Sequence, residues 1–197
     1  RHSRKLLTHY NITTSIKNLN SNNERQRSEE ILRQLGEGKS VAYISDAGTP
    51  GVSDPGAYLV AQAHRAGHKV QPIAGPSALA AALSVCGFSE SSSNTLFVGF
   101  LPVKGAKRRE AIEQIVAHQG IVVIYEGPHR VGKTLKDIEG QMPSAERQLC
   151  ICRELSKVHE EIIPTTVRQA LEEHLEAPKG EYTLVLGPKE ESQKPLE

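Results

Sequence analysis

Apolar positions along the chain fall into short continuous runs and helically spaced stretches, and their alternation sets the expected architecture. Residues 38–46, GKSVAYISD, form an apolar run ending in Asp and turn residues, the pattern of a buried strand. A loop rich in Gly and Pro follows. AYLVAQAHRAGH at 57–68 then carries apolar residues at helical spacing, with Gly67 as its stop. KVQPIAGPSA at 69–78 repeats the strand-and-loop signal, and ALAAALSVCG at 78–87 reads as a small-residue helix closed by Gly87. This rhythm predicts a mainly parallel sheet with crossover helices. Ligands on such sheets bind at the carboxyl ends of the strands, where both Gly/Pro loops fall.

The serine-rich segment FSESSSNT at 88–95 is the best candidate linker, and after it the pattern restarts. LFVGFLP (96–102) predicts a strand, KGAKRREAIEQIVAHQG (104–120) an amphipathic helix and IVVIYE (121–126) a strand. VGKTLKDIEGQM (131–142) predicts a helix, QLCICREL (148–155) a strand, TTVRQALEEHLEA (165–177) a helix and EYTLVLGP (181–188) a final strand. The expected fold class is α/β, with two α/β domains at 1–94 and 95–190. The first is expected to hold a mainly parallel sheet and the second a mixed one, with a disordered tail at 191–197. RHSRKLLTHY at the start has the character of a helix middle, so further residues are expected upstream.

Composition narrows the function. A chain of 197 residues can bury about 70% of its unfolded surface without a disulfide or structural metal. The net charge of +1 excludes a global basic field, so any nucleic-acid contact must come from local clusters. Two exist: Arg1, Arg4 and Lys5, and Lys104, Lys107, Arg108 and Arg109. A run such as KGAKRRE is by itself usually a solvated helix start. With aromatics at 4%, base stacking is expected to be minor. Three cysteines are an odd number and point to a reducing compartment, so the cytoplasm is the expected location. Cys150 and Cys152 read as ordinary strand residues, because no second ligand pair at zinc spacing follows. The histidines are scattered without ligand spacing, and no metal is assigned. No apolar stretch approaches the ~20 residues that span a bilayer.

Two motifs carry chemistry. GPHRVGKT at 127–134 matches the phosphate-binding pattern G-x-x-x-x-G-K-[ST], between a predicted strand and a predicted helix. It supports an alternative reading as a nucleotide hydrolase. Against it, the loop interior carries Pro128, His129, Arg130 and Val131, where a backbone wrapped around phosphate favours small residues. The only candidate for a magnesium-holding Asp is Asp46, upstream of the motif. The second motif is a pair of loops, SDAGTPGVSDPG (45–56) and AGPSA (74–78). They are stiff and poor in side chains, and Asp46 and Asp54 can accept hydrogen bonds from a ribose or an amino group. One such loop is an ordinary capped turn; two favour a small-molecule site.

The segments SDAGTPGVSDPG, PIAGPSA (72–78), GFLP (99–102), YEGPHR (125–130) and CRELSK (152–157), in this order, resemble the tetrapyrrole-methylase-like superfamily over essentially the whole chain. Within it they look most like the branch that methylates the ribose 2′-hydroxyl of a cytidine in small-subunit ribosomal RNA; other branches act on tetrapyrrole rings. The resemblance implies S-adenosylmethionine as cofactor, folded into a cleft between the two halves. It implies Asp46, Gly48, Thr49, Pro50, Ser77 and Ala78 as cofactor contacts from the first half, and Tyr125, Glu126, Leu155, Glu181 and Tyr182 from the second. Arg153, Glu154 and Lys157 are the candidate catalytic residues, with a mutual Arg153–Glu154 ion pair as their ordinary structural reading. The resemblance further implies a homodimer, small-subunit rRNA or the assembled subunit as partner, and an upstream strand and acidic stretch that this chain lacks.

Overall fold

A computed structural model describes residues 2–88, 94–142, 146–173 and 179–189, with the His2 side chain left aside. Packing divides the chain into two compact units, 1–77 and 78–197. The division falls before the serine-rich segment, of which residues 89–93 lie outside the described residues, as do 174–178 of the predicted helix 165–177 and the tail.

The first unit contains α1 (His2–His9), α2 (Glu24–Gly36) and α3 (Ala57–Arg65). Helix α2 lies in a charged stretch; Asn23 precedes it, and Ile31, Leu32 and Leu35 supply its helical apolar spacing. The Glu24 carboxylate accepts the backbone amides of Gly56 and Tyr58 at 2.7 and 3.2 Å, and so caps the first turn of α3. The strand expected at 38–46 and the short strand expected within 69–78 are not formed. They form no ladder, and Val41, Ile44, Val70 and Ile73 are exposed. A strand exists only through hydrogen bonds to a neighbour, and no ladder among the described residues joins these two segments to each other or to a third.

The second unit carries α4 (Ala78–Val85), β1 (Leu96–Phe100), α5 (Ala106–Ala117), β2 (Val122–Glu126), α6 (Pro128–Glu139), β3 (Gln148–Arg153), β4 (Glu161–Thr166), α7 (Val167–Glu173) and β5 (Tyr182–Leu186). The strands form one mixed sheet in the order β1-β2-β5-β3-β4, parallel only between β1 and β2. Strand β4 had no clear signal because Pro164 interrupts its short apolar run. Proline is tolerated at a sheet edge, and β4 is the edge.

Period-two alternation buries both faces. Val122, Ile124, Leu149, Ile151, Leu184 and Leu186 face one way, into a core with Ile112 and Ile115 of α5, Leu135 and Ile138 of α6 and Leu171 of α7. Val123, Cys150, Cys152 and Val185 face the other way, against Ala82 and Cys86. Each fully buried Leu or Ile contributes about 1.5–3 kcal/mol. The three free cysteines are therefore core residues.

Arg147 joins the edge where β3 begins. It is buried, and its guanidinium donates to the carbonyls of Gly187, Ile115 and Gly120 at 2.8, 3.2 and 2.7 Å. Burial lowers its pKa to about 10.

Candidate active site

Strand directions gather the motif residues. Because β1, β2 and β3 run the same way and β5 and β4 run against them, Phe100, Glu126 and Arg153 end strands at the edge where Glu161 and Tyr182 begin theirs. GFLP, YEGPHR, CRELSK and GEYT (180–183), scattered over the sequence, thus share one end of the sheet. The carboxyl ends of β1, β2 and β3 lie together there.

At its centre Glu126 is buried, with a fully enclosed side chain. Its Oε1 accepts the Gly127 amide at 3.0 Å and faces Arg130 Nε at 3.2 Å, and its Oε2 accepts the Thr134 hydroxyl at 2.7 Å. Arg108, 5% exposed, donates to Thr134 Oγ1 at 3.0 Å, to Asp137 Oδ2 at 2.7 Å and to the Pro102 carbonyl at 3.0 Å. Arg130 Nη2 donates to the Leu101 carbonyl at 2.6 Å. A buried carboxylate is tolerable only when its acceptors are filled, and this network fills them.

The network overturns the phosphate-loop reading of GPHRVGKT. Gly127 is the N-cap of α6 and Pro128 its first residue, a position where proline's missing N–H costs nothing. Residues 128–134 are therefore helix rather than a loop around phosphate. Lys133 is exposed, and Thr134 and the Gly127 amide serve Glu126. Arg108 also leaves the set of RNA-facing cations, since burial and three hydrogen bonds hold it inside. Lys104, Lys107 and Arg109 are exposed, as are Arg4 and Lys5 of the first unit; Arg1 lies outside the described residues.

The turn after β3 holds the candidate catalytic residues. Glu154 and Ser156 have φ of 49 and 64°, a left-handed conformation that costs a non-glycine residue about 1 kcal/mol. The Glu154 amide donates to the Glu181 carbonyl at 2.9 Å. Glu154 Oε1 accepts the Glu181 amide and Lys157 Nζ, each at 2.8 Å, and Lys157 Nζ reaches Glu181 Oε2 at 2.9 Å. The hydrogen bond from Lys157, then that from the Glu181 amide, holds the Glu154 carboxyl below its ordinary value. Burial alone would lower the Lys157 ammonium, but its bonds to Glu154 and Glu181 outweigh this and raise it. The expected Arg153–Glu154 pair is replaced: Arg153 Nη1 pairs with Glu161 Oε2 at 2.7 Å across the β3–β4 ladder, and its Nε donates to the Lys179 carbonyl.

Gly180 shapes this turn. At φ 148° it lies where L side chains are rare, and an added Cβ would stand 2.8 Å from Glu154 Cγ. Nothing in the strand pattern pointed to it; only its place before Glu181 did. Tyr125 is half-buried, its hydroxyl accepts the Leu79 amide at 2.9 Å, and its ring meets Phe97 and Phe100 edge-on. Leu155 packs against the cysteine-bearing core, and the Tyr182 ring belongs to the opposite one. Ala78 opens α4.

In the first unit the two Gly/Pro loops meet. Thr49 Oγ1 donates to the Pro76 carbonyl at 2.9 Å, which brings Gly48, Thr49 and Pro50 beside Ser77. Ser45 ties the turn through Ala47 and Gly48. Asp46 Oδ1 accepts the Ser3 amide and hydroxyl at 3.0 and 2.5 Å. Partial burial, then the charge of Asp46, raises the Asp54 carboxyl.

The family described as Tetrapyrrole (Corrin/Porphyrin) Methylases matches residues 1–171. Ribosomal RNA small subunit methyltransferase I of Synechocystis sp. is 39% identical over 187 residues, 94% of this chain and 66% of its own length. The protein of the same name from Thermotoga maritima is 40% identical over 187 residues, 94% of this chain and 82% of its own. This chain thus spans just under two thirds of the Synechocystis relative. Among solved structures, the methyltransferase CobJ superposes with a TM-score of 0.62 at 17% identity, over 83% of this chain and 71% of its own. Uroporphyrin-III C-methyl transferase from Thermus thermophilus, complexed with S-adenyl homocysteine, gives 0.60 at 15% identity, over 83% and 73%. These two likenesses show the fold, and the family match covers most of the sequence. The chain belongs to the tetrapyrrole (corrin/porphyrin) methylases.

Proposed function

We propose that the chain serves an S-adenosylmethionine-dependent 2′-O-methylation of a cytidine ribose in small-subunit ribosomal RNA. The observation that carries the reading is the Glu154–Lys157–Glu181 cluster on the turn where β3 ends and β5 begins. A ribose hydroxyl is a weak nucleophile, so its proton must be taken and its growing negative charge met. Glu154 supplies a carboxylate oxygen that can accept a proton, and the ammonium fixed at Lys157 can meet the growing charge. Relatives near 40% identity carry the rRNA methyltransferase name, whereas the uroporphyrin-III C-methyl transferase lies at 15%; this favours RNA over a tetrapyrrole ring.

The donor set suits the cofactor, which when bound supplies an electrophilic methyl group on a sulfonium. In the second unit the Glu181 carboxylate matches its ribose hydroxyls or its ammonium; in the first unit, taken by itself, Asp46 offers a carboxylate of the same kind. Gly48, Thr49, Pro50, Ser77 and Ala78 offer close backbone approach, and Tyr125, Leu155 and Tyr182 line the edge by ring, side chain or backbone. Glu126 acts from behind, by fixing Arg130 and the start of α6. Lys104, Lys107, Arg109, Arg4 and Lys5 supply phosphate contacts. The buried free thiols accord with a cytoplasmic setting, and the functional unit is a homodimer. No described helix is long and apolar enough to cross a membrane.

Calorimetric titration with S-adenosylmethionine, followed by transfer of a labelled methyl group to small ribosomal subunits, tests the proposal. Saturable donor binding and label in the ribose of one cytidine are expected. Absence of donor binding, or label in a porphyrinoid acceptor alone, would overturn it.

A further inference from the structure

Phe100 is a large apolar side chain left 58% exposed at the end of β1, and its position is built rather than incidental. Residues three apart on a regular strand face opposite sides of the sheet. Here the register shifts between Phe97 and Gly99, so that one residue is inserted, and Gly99 takes φ 67°. An extra residue with glycine in the left-handed region is a β-bulge, a device that re-aims side chains beside active sites. As a result Phe97 and Phe100 both reach Tyr125, with ring centroids 5.0 and 5.7 Å away and planes at 71 and 63°. Two of the chain's three phenylalanines are used in this way.

The segment that follows Phe100 is fastened from below. Arg130 holds the Leu101 carbonyl and Arg108 the Pro102 carbonyl, while Glu126 and Asp137 fix the two guanidiniums. The backbone therefore keeps Phe100 and Val103, 66% exposed, at the surface, and the exposed Lys104 and Lys107 come next. A rigid exposed ring beside a cationic helix start combines a π-face for a base with charges for its flanking phosphates.

We propose that Phe100 is the stacking platform for an unstacked base of the acceptor RNA, with Lys104 and Lys107 on the neighbouring phosphates. This rests on the rRNA methyltransferase reading above and names the group that positions the acceptor strand. The adjacent cations favour RNA over an apolar protein partner. The low aromatic content of the chain is no obstacle, because one exposed ring serves one base, and Phe97 and Tyr125 back it.

The test compares the parent with Phe100→Leu, which keeps apolar bulk without a π-face, and Phe100→Trp, which keeps the face. Affinity for small ribosomal subunits, affinity for S-adenosylmethionine, melting temperature and sedimentation are measured for all three. Phe100→Leu is expected to weaken RNA binding roughly 5- to 150-fold, Phe100→Trp to stay within about threefold of the parent, and the other three measurements to stay unchanged. Parental RNA affinity in Phe100→Leu would overturn the inference. So would an equal loss of donor affinity, which would make Phe100 a cofactor contact, or a change in sedimentation, which would make it a contact with a second copy. A parent that binds no methyl donor would sink the functional reading itself, and this inference with it.

Discussion

The Thr134 hydroxyl donates to Glu126 Oε2 at 2.7 Å while its oxygen accepts Arg108 Nη2 at 3.0 Å, so one buried side chain links an anion on β2 to a cation on α5. Thr134→Val keeps the shape and removes both bonds, leaving a carboxylate oxygen unsatisfied in the core. Loss of about 1–3 kcal/mol in denaturant unfolding is expected, with Thr134→Ser close to the parent. ATP with magnesium is expected to give no saturable heat with the parent or either variant. Saturable binding abolished by Thr134→Val would restore the phosphate-loop reading.

Within KGAKRRE, one cation differs from its neighbours. Arg108→Met breaks the pair with Asp137 and frees the Pro102 carbonyl and Thr134. Asp137 is 35% exposed and can rehydrate, so a cost of about 2–4 kcal/mol is expected, below that of a fully enclosed pair. A Lys104/Lys107/Arg109 triple alanine variant should melt within about 0.5 kcal/mol of the parent. It should also bind small ribosomal subunits more weakly, with a shallower dependence on salt. Identical salt slopes in variant and parent would remove these residues from the RNA surface.

The contrast between Arg108 and Arg109 shows what the sequence could carry. Strands β1, β2, β3 and β5 were legible because Val, Ile and Leu fill their runs, whereas the gathering of YEGPHR, CRELSK and the Glu181–Tyr182 pair was implied only by the family resemblance, since a run does not give strand order. The inward turn of Arg108 was not legible, since its partners Thr134 and Asp137 lie a helix away in sequence. The role of Arg147 was illegible for the same reason: its partners are three carbonyls, which any residue supplies. Pro164 disguised β4, and the bulge at Gly99 reversed the face that simple alternation assigns to Phe100. Extended segments such as 38–46 read as strands from composition, yet a ladder also needs a neighbour.

Arg147 is the cross-brace of the opposite edge. Replacing it with Met removes three hydrogen bonds from a charged donor and leaves the Gly187, Ile115 and Gly120 carbonyls to find water or strain. A loss of about 2–4 kcal/mol in unfolding free energy is expected, with donor affinity unchanged because the site lies at the other end of the strands. A fall in donor affinity without loss of stability would contradict this assignment.

Gly180→Ala should act on the site with little effect on the core. The new methyl group would meet Glu154 Cγ at 2.8 Å and an unfavourable φ of 148°, so the Glu154–Lys157–Glu181 cluster must shift. Methyl transfer is expected to fall by about tenfold or more, since displacements of the order of 1 Å at reacting groups cost up to about 10²-fold. Unfolding of the β-sheet should stay within about 2 kcal/mol of the parent. Parental turnover would show that Glu154 need not hold this position.

Glu154 gives the reading its pH dependence. Its carboxyl sits below 4.5 in the folded chain because Lys157 and the Glu181 amide favour the charged form. A depressed carboxyl contributes stability that is fully present above its unfolded value and fades as pH falls through the folded one. Lys157, raised above 10.5, contributes stability present below that value and lost as pH climbs through its folded one. The stability difference between the parent and Glu154→Gln is therefore expected to be constant across neutral pH and to shrink on acidification below 4.5. Turnover in Glu154→Gln should be lost at every pH while S-adenosylmethionine still binds. A carboxyl titration of Glu154 followed by NMR checks the first expectation, and single-turnover methyl transfer checks the second. Full turnover in Glu154→Gln would exclude Glu154 as the proton acceptor and leave Lys157 to act with Glu181 alone.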